Sequence, residues 1–258
     1  MGKYAQKMKD DVLSFSRISS FGNCNYEFKM HYFEGIDGEG NFFSEVGSAM
    51  HKVLEQYSKK EIDIFDLQDA FDEAWSEYVI HEAPPNNYVN INDQYYQQCV
   101  EYLENLVFDF SKYEILGVEK EVHFTIGEYK FVGYIDLLLK DKDGNVIICD
   151  HKSANIKKKK NGDISKTSLE QFDHFKKQLY LYSLGIDYDT SYLRWNLFRT
   201  QDYIIIPFNK DELEDTKKWA LNRIKQISDE ELFLPNTDNE FYCRYLCSLR
   251  NQACEYKN

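Results

Sequence analysis

The chain has 258 residues, 43% of them hydrophobic and 16% aromatic, enough to bury one sizeable core. A formal net charge of -13 argues against a protein that coats nucleic acid by bulk electrostatics, and no run of about 18 apolar residues offers a membrane span. MGKYAQKMKDDV carries no apolar stretch behind its charges, so no signal peptide is read there and the expected compartment is the cytoplasm, with no membrane partner.

The opening stretch LSFSRISSFGNCNYEFKMHYFEG predicts a helix from about Ser16, broken near Gly22, with aromatics returning at Tyr26, Phe28, Tyr32 and Phe33. SEVGSAMHKVLEQYSKK follows with an apolar stripe of Val46, Ala49, Met50, Val53, Leu54 and Tyr57, the spacing of an amphipathic helix. Helical stretches are expected over about 64–80 and 93–112, divided by the breaker EAPPNN. The pattern then turns to strands. VEKEVHFTI, KFVGYIDLLLK and NVIICDHK are apolar or β-branched runs, with Asp143-Gly144 as a hairpin signal between the last two. LEQFDHFKKQLYLYSLGI is helical, YLRWNLFRT and DYIIIPF are strands, and DELEDTKKWALNRIKQIS is an amphipathic helix. Together they predict an α/β or α+β sheet with helices packed on it.

VIICDHKSAN, residues 146–155, runs an apolar strand straight into Asp150, His151 and Lys152. A turn centred on Asp143 puts Asp136 and Asp150 equidistant from it and roughly opposite each other, with Cβ atoms about 4.5 to 5.5 Å apart. Carboxylates that close repel unless a cation sits between them. Lys152 shares a strand face with Asp150. Hard oxygen ligands suit Mg²⁺ or Mn²⁺, and a lysine beside them can orient a water or offset charge developing on a phosphate. D-x-K alone also fits an ordinary strand-end ion pair.

The whole constellation resembles the PD-(D/E)XK nuclease superfamily, and more closely its RecB-like, AddB-like branch, related to CRISPR-associated and phage exonucleases. GSAMHKVLE looks like that branch's G-x-x-x-H-x-x-L-E helix, GYIDLLL and IICDHKSA like its paired aspartate and D-x-K motifs, and QLYLY like its Q-x-x-x-Y motif. The resemblance implies a restriction-endonuclease-like α/β core, a central mixed sheet flanked by helices, with an N-terminal helical region. One domain would span 1–258: a mostly helical part over 1–112, the nuclease core over 113–235, and a cysteine-rich segment over 236–258 packing back on the N-terminal helix. It further implies metal ligation by His51, Asp136 and Asp150, water activation by Lys152, and support from Gln178 and Tyr182. Of Glu119 and Glu121, the branch's usual glutamate is placed at Glu121. From spacing alone, His51 stands one step off the apolar stripe as a helix-flank histidine would, Gln178 fits a helix surface, and Tyr182 fits a core aromatic.

Cys243, Cys247 and Cys254 cluster in the last 16 residues, which in a reducing compartment reads first as metal binding or catalysis. With Cys24 they resemble the branch's [4Fe–4S] staple, although C-x3-C-x6-C departs from its tighter C-x2-C-x5-C form, and four cysteines also suit zinc. Cys99 and Cys149 read as core residues. Lys157, Lys158, Lys159 and Lys160 form a basic run in a stretch composed like a flexible loop, either solvated or touching phosphates. The resemblance implies a Mg²⁺- or Mn²⁺-dependent exonuclease acting on DNA, single-stranded or frayed at its ends, in phage recombination, repair or CRISPR adaptation. The alternatives are a DNA-binding subunit active only within a larger helicase or integrase complex, and a nuclease acting on RNA.

Overall fold

Residues 2–105, 112–251, 254 and 256 are described by the computed structural model. Two short elements that sequence periodicity does not signal come first, α1 (Ala5–Asp10) and β1 (Val12–Leu13). Helix α2 (Phe15–Ser20) is capped two residues before the expected Ser16: Ser14 is extended and its hydroxyl accepts from the Arg17 amide, leaving Ser16 in the first turn. Cys24 precedes α3 (Asn25–Tyr32). Helix α4 (Phe42–Ser58) is fixed at its start by a reciprocal box in which Asn41 caps the Ser44 amide and the Ser44 hydroxyl caps the Asn41 amide. α5 (Leu67–Tyr78) and α6 (Ile91–Asn105) complete the helical region; residues 106–111 of the helix expected over 93–112 lie outside the described residues.

The sheet is mixed. β2 (Tyr113–Ile126) and β3 (Tyr129–Asp141) form a long antiparallel hairpin, and the other edge of β3 pairs first with β1, in parallel, and then with β4 (Val146–Lys152), antiparallel. The β3–β4 ladder pairs Leu137 with Cys149 and Leu138 with Ile148, centring the hairpin on residue 143 and making Asp136 and Asp150 the next positions outward. Helix α7 (Leu169–Tyr182) crosses over from β4 to β5 (Thr190–Leu197), which runs parallel to β4 and antiparallel to β6 (Asp202–Pro207). α8 (Lys210–Asp229) follows, capped by Asn209.

The principal core joins the sheet to α1, α2, α7 and α8 through residues such as Met8, Ile18, Phe131, Ile148, Leu179, Trp195 and Ile224. A second core unites α4, α5 and α6 with Phe198, beyond the end of β5. Leu137, Leu139, Ile147 and Cys149 pack separately with Tyr113, Val118 and Tyr192. The side-chain alternation of the hairpin therefore changes phase: Val122, Phe124 and Phe131 face the principal core, whereas Val118 and Leu137 face away from it.

The C-terminal segment is clasped by chain made near the beginning. Glu27 on α3 accepts from the Tyr242 hydroxyl at 2.6 Å, and from the Ser248 amide and hydroxyl at 2.6 and 2.7 Å. The strap before α4 is bound as well: Glu39 N donates to Ser248 O at 2.9 Å, Asn41 donates to Leu246 O, and Arg250 donates to Gly40 O.

Candidate active site

Four elements converge where α4 crosses the ends of the strands. Glu119 and Asp136 stand between the paired positions Val118–Leu137 and Lys120–Ile135 of the β2–β3 ladder. Glu119 has φ of 46°, a left-handed conformation that costs a non-glycine residue roughly 1–3 kcal/mol. The strained peptide is where the alternation changes phase. Glu119 thereby faces the site, while Glu121, which would share its face in a regular strand, is turned to the opposite side. Glu121 is exposed and bonds the His123 ring at 2.6 Å. The glutamate that the structure brings to His51 and Asp136 is thus Glu119 and not Glu121, through a backbone feature that a glutamate in the sequence does not announce.

His51, from α4, completes a group with Glu119 and Asp136 whose ligand atoms all lie within 4.8 Å of one another. Its Nε2 lies 3.0 Å from the His151 carbonyl and must donate to it, which leaves Nδ1 facing Asp136 Oδ2 at 3.6 Å and Glu119 Oε1 at 3.9 Å. Asp136 Oδ2 accepts from the His151 amide at 2.6 Å. Burial pushes the Asp136 carboxyl up to about 7. Burial alone would lower the His51 imidazole, but the carboxylates of Asp136, Glu119 and Asp150 outweigh it and carry it up to about 9.

Asp150 stands beside this trio and is 2% exposed. Lys152 Nζ lies 2.9 Å from each of its oxygens, but only Oδ1 is aligned for a hydrogen bond, so buried Oδ2 has no hydrogen-bond partner. Two carboxylates about 5 Å apart repel by roughly 3 kcal/mol at an effective dielectric constant of about 20. The His51, Glu119 and Asp136 atoms form a donor set of nitrogen and hard oxygens suited to a divalent cation, and Asp150 lies beside that set, paired with Lys152 through both oxygens.

The lysine is held from a second direction by α7. Gln178 Oε1 accepts from Lys152 Nζ at 3.0 Å, and the Gln178 amide reaches the Tyr182 hydroxyl at 3.4 Å, the two residues sharing a helix face at i and i+4. Tyr182 packs over Gly133, where an added Cβ would lie 2.3 Å from its ring. Burial raises its phenol to about 12, so it stays neutral and serves as a hydrogen-bonding partner.

Residues 157–165 form a small ordered hairpin, closed by the Lys158–Ile164 bridge and the Ser165 N to Lys157 O bond, where composition suggests a flexible loop. Lys158 is committed to Asp202 at 2.6 Å and to Tyr203 O at 2.9 Å; Lys157, Lys159 and Lys160 remain exposed. At the other end of the chain, Cys24, Cys243, Cys247 and Cys254 line one cavity of about 600 Å³. Burial, with Glu27 and the neighbouring cysteines, pushes the Cys247 thiol up to about 12 and raises Cys243 as well, so thiolates there call for a compensating cation. Cys99 and Cys149 are fully buried and lie apart from this cavity.

No helix among the described residues is long and apolar enough to cross a membrane. A search of curated proteins returned no match. Among solved structures, the chain is similar to that of a "Putative exonuclease" from Eubacterium rectale, with 14% identity, 99% of this chain and 94% of that chain covered, and a TM-score of 0.50. It also aligns with the crystal structure of SSO0001 at 15% identity over 93% of this chain and 97% of that one, with a TM-score of 0.34. The family model of the PD-(D/E)XK nuclease superfamily matches residues 12–257, nearly the whole chain, and the protein belongs to that superfamily.

Proposed function

We propose that this nuclease is a Mg²⁺- or Mn²⁺-dependent exonuclease that hydrolyses DNA phosphodiester bonds at single-stranded or frayed ends. The observation that carries the reading is the Lys152 ammonium, fixed between Asp150 and Gln178 beside the His51–Glu119–Asp136 group. His51, Glu119, Asp136 and Asp150 would hold the cation, which supplies Lewis acidity toward the phosphate and acidifies water. Lys152 orients the attacking water and offsets negative charge developing on the phosphate, a role that needs it held in place rather than mobile. Gln178 prevents Lys152 from collapsing wholly onto Asp150, and Tyr182 fixes Gln178. Lys157, Lys159 and Lys160 supply positive charge five to eight residues beyond Lys152 on an otherwise acidic protein, suited to a polyanion strand. Recombination, repair and CRISPR adaptation are settings that fit such an enzyme.

Cys24, Cys243, Cys247 and Cys254 would hold a [4Fe–4S] cluster of structural role, joining α3 to the C-terminal segment. Among the described residues no three of their sulfurs approach within 4.8 Å of one another. Four cysteine thiolates also suit a zinc tetrahedron, with Zn–S of about 2.3 Å.

The test is degradation of 5′- and 3′-labelled DNA, single- and double-stranded, and of RNA, by purified protein with Mn²⁺ or with EDTA. Progressive shortening of DNA with Mn²⁺, absent with EDTA and in Asp150→Ala, is expected. Internal cuts only, or a preference for RNA, would overturn the exonuclease assignment.

A further inference from the structure

Behind the site, on β5, lies a buried polar chain that none of the preceding roles uses. Asn196 is 1% exposed and stands in register with His151, the residue between Asp150 and Lys152. The Arg194 guanidinium donates through Nε to Asn196 Oδ1 at 2.8 Å, and its Nη1 reaches the Tyr113 hydroxyl at 3.1 Å. Arginine only donates, so this contact fixes the amide's orientation and turns Nδ2 toward the His151 ring. Asn196 Nδ2 lies 3.4 Å from His151 Nδ1 and 3.2 Å from Cys149 Sγ. The ring nitrogen must therefore be the acceptor.

His151 is also where two members of the metal group are anchored. Its amide donates to Asp136 Oδ2, and its carbonyl accepts from His51 Nε2. The two contacts lie on the peptide groups either side of the His151 Cα, so a shift of this one residue's backbone would move both ligands together. We infer that Asn196 is a positioning residue for the metal site: by gripping the His151 side chain from behind the strand, it sets the His151 backbone, whose amide and carbonyl aim Asp136 and His51. The inference rests on the proposed metal site. It gives a role to a histidine in the middle of D-x-K, a position that needs only to fill space if its backbone is held by the sheet alone.

The test is Mn²⁺ binding by calorimetry on the full chain at pH 7.5, well below thermal midpoints recorded in parallel. Asn196→Ala and His151→Phe should each weaken Mn²⁺ binding about tenfold, the lower end for loss of a residue supporting a metal ligand. The double variant should be no weaker than the weaker single one, because both remove the same bond. His151→Gln, whose side-chain oxygen can accept from Asn196, should restore binding. If Asn196→Ala does not fold, the His151→Phe and His151→Gln pair decides alone. Wild-type affinity in folded His151→Phe, or additive losses in the double variant, would overturn the inference even if thermal midpoints fall. Wild-type protein that binds no Mn²⁺ would overturn the metal site as well.

Discussion

Metal binding at this site should release protons, and the number follows from its electrostatics. Burial holds the Asp136 carboxyl up to about 7, and the surrounding carboxylates hold His51 up to about 9. Between those values the metal-free pair carries one proton, shared as a coupled unit. A cation coordinated by His51 Nδ1 and Asp136 Oδ2 must expel it, so affinity rises about tenfold per pH unit across this window. From pH 7 to pH 8.5 that is a gain of about 30-fold. Below pH 7 Asp136 holds its own proton too, and the dependence steepens toward two protons per ion. A third of the His51 side chain is open to solvent, which screens the carboxylates and keeps the steep region below 9. Calorimetric titration with Mn²⁺ in two buffers of different ionisation enthalpy counts the protons directly: about one at pH 8, rising toward two at pH 6.5. An affinity flat from pH 6.5 to 8.5, with no buffer-dependent heat, would refute the assignment of these two residues as ligands.

Asp136→Ala, Asp150→Ala and Lys152→Ala should each abolish cleavage while DNA binding largely survives, since the parts act as a unit; near-normal turnover in any one would sink the mechanism. Glu119→Gln should weaken Mn²⁺ binding and Glu121→Gln should leave it unchanged, a comparison that reads the reversed strand face directly. Gly133→Ala drives a methyl into Tyr182 and should cost about 1–3 kcal/mol in denaturant unfolding, the range for overpacking; a neutral result would show that the ring moves freely. Anaerobically purified protein should be brown and Cys24→Ala colourless with a lower thermal midpoint, whereas colourless wild type with one stoichiometric zinc would decide for zinc. Lys157, Lys159 and Lys160 changed together to glutamine should flatten the salt dependence of single-strand binding by roughly 0.7 log units for each phosphate no longer engaged, and Lys158→Gln should change it little, because Asp202 already holds that ammonium.

The β3–β4 hairpin was legible because its information is local. An Asp-Gly turn and two apolar runs set a register about residue 143, and strand alternation placed Lys152 beside Asp150. Helices α4, α7 and α8 were legible for the same reason, each having a long amphipathic period. Glu119 was not, since its position depends on one left-handed residue in a strand whose sequence does not announce it. Elements as short as α1 and β1 carry too few residues for a period, and β1 pairs with Lys130 and Phe131 of β3, ahead of the stretch that β4 pairs. The lysine run misled through composition: its backbone bonds to itself and Lys158 finds Asp202, a partner 44 residues away. The network behind His151 depends on β5 lying beside β4 in one register, which a crossover connection does not reveal.

The bonds from the strap before α4 to the C-terminal segment join groups 205 residues or more apart, which puts a timetable on the molecule. At about 5–20 residues per second, the ribosome delivers Leu246 and Ser248 some 10 to 40 seconds after Glu39 and Asn41. Until then the start of the helix carrying His51 lacks the partners that hold it, and the cysteine cavity lacks three of its four thiols. The clasp on the helix that carries His51 is thereby closed only after Asp136, Asp150 and Lys152 have been made, so a nascent copy carries those residues before that helix has all its partners.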